Sequence, residues 1–78
     1  MTRDIRTYFI GNPEGLERIE TYLIKRSANY MPLGNDGISF IDKNGKRFAV
    51  IREGKIVEIR LDSSQATLKR VEEIVRTM

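Results

Sequence analysis

The fold is decided by ISFIDKNGKRFAVIREGKIVEIRL, residues 38–61. Three runs rich in isoleucine, valine and phenylalanine are punctuated by Asn44-Gly45 and Glu53-Gly54. Asn-Gly between alternating apolar runs is the strongest short-range hairpin signal, and Glu-Gly is a weaker version of it. The stretch therefore predicts an antiparallel three-stranded meander over 38–43, 46–52 and 55–61. With two-residue turns, Ile41, Phe48 and Ile59 stand side by side on one face, joined by Val50, Val57 and Leu61. Ile38, Phe40, Ala49, Ile51 and Ile56 fall on the other face, mixed with Asp42, Arg47, Glu58 and Arg60.

Working outward from the meander, Ile5–Ile10 alternates like a strand and Gly11 ends it. Asn12-Pro13-Glu14 then reads as a helix start, with an Asn N-cap, proline at the first helical position and an acid at the positive end of the dipole. Leu16, Ile19, Leu23 and Tyr30 share one helical stripe, so the helix is expected to run to about Ala28. Met31–Gly37 is full of turn residues and reads as a loop. Asp62-Ser63-Ser64 caps a last helix, whose apolar stripe is Leu68, Val71, Ile74, Val75 and Met78. The expected architecture is α+β, in the order β-α-β-β-β-α. An N-terminal edge strand flanks the meander and both helices pack on one face of the sheet. Strands 5–10 and 38–43 can run parallel through a right-handed crossover.

Length and composition narrow the chemistry. Seventy-eight residues make one domain with a thin core. The chain has no cysteine, histidine or tryptophan. Disulfides, thiolate or imidazole metal centres, thiol nucleophiles and the serine triad are thereby excluded. Carboxylates, lysines, tyrosines and hydroxyls remain, but a pair of catalytic carboxylates needs a cleft that a thin sheet with two helices rarely offers. The expectation is a non-catalytic binding module with no cofactor and no metal. Fourteen Lys and Arg against 11 Asp and Glu give a net charge of +3, and the isoelectric point is about 9.5. The abundance of isoleucine, arginine, lysine and glutamate is of a thermophilic kind. The N-terminus lacks the pattern of a secretory leader, and Phe48–Ile51 is far too short an apolar run to span a bilayer. A cytoplasmic protein without membrane association is expected.

Two surfaces stand out. The hairpin register gathers Lys43, Lys46, Arg47 and Arg60 near one end of the sheet, with Arg47 beside Arg60. Adjacent like charges on a sheet cost stability, and phosphate contacts of a nucleic acid would use them. Edge lysines that deter aggregation, and Asp42 close by, offer a plainer explanation. The second surface is Ile38, Phe40 and Ile51, exposed if both helices cover the Phe48 side. A contiguous apolar group there would bind a protein partner or a second copy. Asn35-Asp36-Gly37 and Asp42–Gly45 carry oxygen donors of the kind calcium prefers. Their spacing is not that of an EF-hand, and Lys43 and Lys46 are unwelcome beside a cation, so plain turns are the better reading. Gly11 and Gly15 lack the fingerprint of a phosphate-binding loop. Tyr8, Tyr22 and Tyr30 lie outside the meander, which argues against base stacking on the sheet.

From Pro13 onward, the order α-β-β-β-α is similar to that of double-stranded-RNA-binding domains. Ser63, Ser64, Gln65 and Ala66 stand where that family opens its second helix with lysines, Lys69 and Arg70 come later than its pattern wants, and strand 5–10 is additional. The similarity is one of element order, and no functional residue carries over.

Overall fold

The computed structural model describes residues 4–35 and 37–77. The elements are β1 (Ile5–Phe9), α1 (Pro13–Arg26), β2 (Asn29–Leu33), β3 (Gly37–Ile41), β4 (Arg47–Arg52), β5 (Ile56–Arg60) and α2 (Gln65–Arg76). They form one five-stranded sheet in the order β1-β5-β4-β3-β2. Every neighbouring pair is antiparallel. The α+β class, the meander and the N-terminal edge strand are as expected, with β1 beside β5. No crossover to a parallel neighbour occurs, because β1 pairs with the end of the meander.

The structure adds β2, from residues read above as the tail of the first helix and a loop. Helix α1 starts as predicted: the Asn12 side chain accepts from Glu14 N at 2.9 Å and Gly15 N at 3.3 Å, with Pro13 inside. It stops at Arg26 because Ser27 closes it. The Ser27 amide returns to the Leu23 carbonyl, and its hydroxyl donates to the Ile24 carbonyl at 2.9 Å. The Ala28 amide is then taken by the Ile41 carbonyl at 2.9 Å, and the chain enters the sheet. Tyr30 leaves the helical stripe and becomes half-exposed on an edge strand.

Both turns of the meander carry one residue more than a two-residue loop, and this changes which face is buried. In the first, Gly45 N donates to Asp42 O and Asp42 N to Lys46 O, with Gly45 at φ 80. The Asp42 carboxylate accepts from Asn44 N at 2.9 Å and Lys46 N at 3.0 Å. These bonds hold Asn44 out of the left-handed region that a two-residue turn would require of it. The slip is undone two residues later by a bulge: Ile41 faces Arg47 but Phe40 faces Ala49, leaving Phe48 as the extra residue. In the second turn, Glu53 and Gly54 have φ 54 and 63, yet pairing resumes with Arg52 opposite Ile56. Lys55 is the extra residue, and its carbonyl accepts the Ile10 amide at 2.7 Å. This slip is not undone.

The consequence is a corrected face assignment. Tyr30, Phe40, Ala49, Ile59 and Arg6 form one cross-strand row on the helix side, and Pro32, Ile38, Ile51, Val57 and Tyr8 form the next. Ile59 therefore sits with Phe40 and Ala49, not with Ile41, which alternates to the other face. The two-residue register would have set Glu58 beside Ala49 under the helices, a buried carboxylate without a partner. The observed register puts Glu58 beside Val50 on the open side. Hydrophobic pattern, rather than turn length, selects the pairing.

The core lies between this face and the helices. Phe40, Ala49, Ile51, Val57 and Ile59 meet Ile19 and Leu23 of α1 and Val71 and Ile74 of α2. Phe48, carried inward by the bulge, has its ring 6.5 Å from that of Phe40. Burying each large side chain contributes about 1.5–3 kcal/mol. Among the described residues no helix is long and apolar enough to cross a membrane.

Candidate interaction surface on the open sheet face

Neither helix covers the second face of the sheet. Its central row reads Met31, Ser39, Val50, Glu58, Thr7. A neighbouring row carries Arg52, Ile56 and Phe9, and on the other side Arg60 stands beside Ile5. Ser39 and Val50 at its centre are buried, whereas Phe9 is 77% exposed, Met31 53% and Ile5 43%. A shallow depression of about 430 Å³ lies on this face, lined by Asp4, Ile5, Arg47, Val50, Arg52, Glu58 and Arg60.

The electrostatics of the depression are mixed. Arg52 Nε donates to Glu58 Oε1 at 2.7 Å, and Arg60 Nη2 to Asp62 Oδ2 at 2.6 Å. Both pairs are solvated and worth about 0–1 kcal/mol each, so they orient arginines more than they stabilise the fold. Arg47 has no carboxylate partner among the described residues.

The residues singled out from sequence are redistributed. Arg47 and Arg60 do line one depression, but they are not cross-strand neighbours: Arg47 faces Ile41, and Arg60 faces Ile5. Lys43 lines a different groove, of about 630 Å³, between the β3–β4 turn and the start of α2. There it shares the walls with Arg26, Asp42, Asp62 and Ser64. Lys46 is exposed on the turn. The apolar trio is displaced outright. Phe40 is 0% and Ile51 2% exposed, and Ile38 is partly buried against the same cluster. They form the core because the Lys55 slip turns that face toward the helices.

Of the candidate oxygen ligands, Asp36 lies outside the described residues, and Asp42 spends one carboxylate oxygen on the turn amides. Groups of three or more acidic, histidine or cysteine side chains placed to hold a metal do not occur among the described residues.

Sequence reading missed a polar clamp at the β1 edge. Arg6 and Tyr8 alternate onto the helix side of β1, and both donate to the same Glu72 oxygen of α2, Tyr8 at 3.1 Å. Their donation, Tyr8 first and Arg6 second, holds the Glu72 carboxyl below its ordinary range. Burial pushes the Tyr8 phenol up, Glu72 adds to that, and Arg6 opposes it. The signal was present as polar residues on the inner face of an edge strand, but it needed the β1–β5 pairing to be read.

The chain matches no protein-family model, no curated protein and no solved structure. The class defined by fold and surface is a two-layer α+β sandwich, an antiparallel sheet with two helices on one face and the other face uncovered.

Proposed function

We propose that this protein is a non-catalytic protein-interaction module whose working surface is the open face of its sheet. One observation carries the reading: Phe9, Met31 and Ile5 are exposed on the same uncovered face as Arg47, Arg52 and Arg60. Interface cores are enriched in aromatic residues, methionine and arginine, and this face presents all three, with Phe9 and Ile5 along its β1 edge and Met31 along its β2 edge. The chemistry of the face agrees. Glu58 is tied to Arg52, histidine and cysteine are absent from the chain, and the depression is shallow.

The test is affinity capture in the source organism with tagged wild type and two variants. Met31→Lys with Arg47→Glu alters the open face, while Glu17→Lys with Lys25→Glu alters the outer side of α1. Specific partners should be lost only with the first pair, at unchanged melting temperature. Identical partners from both variants would refute the open face as the working surface.

A second reading, nucleic-acid backbone binding, is favoured by the convergence of Arg47, Arg52 and Arg60 on one depression, with Lys43 and Lys46 on the nearby turn. Two of these arginines are already bound to carboxylates, which counts against it. Anisotropy with labelled duplex and single-stranded oligonucleotides at low salt decides between the two. A dissociation constant near or below about 1 μM, weakening steeply with salt and lost in Arg47→Glu with Arg60→Glu, would move the reading to nucleic acid.

A further inference from the structure

The two edges of the sheet are built differently. β2 carries Pro32, which has no amide to offer a new strand, and proline is a usual guard on sheet edges. β1 is Ile-Arg-Thr-Tyr-Phe, without lysine or proline, and its single charge, Arg6, is occupied by Glu72 of its own chain. The pairing of β1 with β5 fixes which backbone groups remain free. Ile10 N donates to Lys55 O and Leu61 N to Asp4 O, both at 2.7 Å. Bonding alternates along an antiparallel pair, so residues 4, 6, 8 and 10 face β5. The amides and carbonyls of Ile5, Thr7 and Phe9 point away from the sheet into solvent.

We propose that β1 is a homodimerisation edge, pairing antiparallel with β1 of a second copy about a two-fold axis through Thr7. This rests on the protein-interaction reading above and adds a second copy of the chain, held at the β1 edge that borders the open face rather than on that face itself. The register follows from self-complementarity. Thr7 meets Thr7 of the second copy, Ile5 meets Phe9, and Arg6 meets Tyr8. All six outward amide and carbonyl groups per strand then find partners, giving six interchain hydrogen bonds. On the open face, Phe9 and Ile5, 77% and 43% exposed in the single chain, cover one another. On the helix face, each Arg6 guanidinium lies beside the Tyr8 ring of the other copy, a favourable cross-strand cation–aromatic pair. No like charges are opposed in this register. A slip by one residue along either strand breaks both the hydrogen-bonded pairs and the Ile5–Phe9 match. A groove of about 500 Å³ between β1 and α2, lined by Arg6, Leu61, Leu68 and Glu72, opens beside this edge and leaves room for the second copy's inner side chains. The paired sheet would run through ten strands, with the open faces of both copies continuous. Five-residue edges make a small contact, so the dimer is expected at the weak end, with a dissociation constant of roughly micromolar or above.

The test is sedimentation velocity of the full chain from about 5 μM to about 1 mM, combined with amide hydrogen exchange on the same samples. The expected result is a monomer–dimer equilibrium in which the Ile5, Thr7 and Phe9 amides gain protection with concentration. The Arg6 and Tyr8 amides, already bonded to β5, should stay unchanged. Thr7→Pro removes an outward amide that β5 does not use, and should weaken the dimer by at least about tenfold. Should that variant melt early, Phe9→Lys, at a site 77% exposed, serves in its place. Met31→Lys, near the far edge, should leave the dimer intact. A strict monomer throughout overturns the proposal. A dimer that ignores Thr7→Pro and Phe9→Lys but is lost in Met31→Lys also overturns edge pairing, while leaving the open face as an interaction surface.

Discussion

At the scale of the residue, Glu58 shows how one side chain constrains a whole sheet. Placed on the helix side it would be a buried carboxylate; placed beside Val50 it meets Arg52 at 2.7 Å in solvent. Gly37 is constrained by space. A Cβ there would come within 2.6 Å of the Leu33 carbonyl oxygen and 3.2 Å of that of Ile51. Backbone on both sides cannot yield cheaply, so Gly37→Ala is expected to cost about 1–3 kcal/mol, measured by urea denaturation. Glu72 makes a pH prediction. Its carboxyl is held down by Tyr8 and Arg6 in the folded chain, while an unfolded glutamate titrates near ~4.3. The folded state thus binds fewer protons in this range. The stabilisation is present in full above about pH 4.3 and is lost as pH falls through the folded value. Melting temperature should fall on acidification through that window, and the fall should be shallower in Glu72→Gln. Equal slopes in both proteins would show that the clamp does not contribute.

At the scale of the element, the helices were legible because their signals are local. Asn12-Pro13-Glu14 caps α1 as read, and the apolar stripe of α2 through Val71 and Ile74 is buried, with Met78 outside the described residues; Ser64 stands at the N-cap of α2 but makes no side-chain capping bond. The strands were legible as strands, but their faces were not. Asn44-Gly45 suggests a two-residue turn; Asp42 captures two amides and makes a longer one. Glu53-Gly54 has the backbone of a two-residue turn, and Lys55 still slips out of register to give its carbonyl to Ile10. That partner lies 45 positions earlier in the chain, beyond any local rule. The basic and apolar surfaces read from sequence both depended on this register, so Phe40 and Ile51 moved into the core and Arg47 moved away from Arg60. β2 was hidden for a related reason: Tyr30 continues the helical period by chance, and Pro32 is tolerated only because the strand is an edge. If the Asp42 carboxylate sets the first turn, Asp42→Ala should destabilise by about 1–2 kcal/mol in chemical denaturation, with loss of exchange protection at the Asn44 and Lys46 amides.

At the scale of the molecule, 78 residues are spent on covering one side of a sheet. Two helices of 14 and 12 residues cover one face and leave the other open, along with the unguarded edge of β1. Small domains have little stability to spare, and leaving Phe9 and Met31 in water gains nothing for an isolated chain. A surface that mixes them with arginines makes sense when another chain completes it. The interaction reading stands or falls on which face is open. Solvent paramagnetic relaxation of the methyl groups, recorded on a dilute monomeric sample, measures this directly. Strong broadening at Met31 and Ile5 with protection of Ile51, Ile59, Ile19 and Ile74 is the expected pattern. Broadening of Ile51 and Ile59 to the level of Ile5, or a protected Met31, would contradict it.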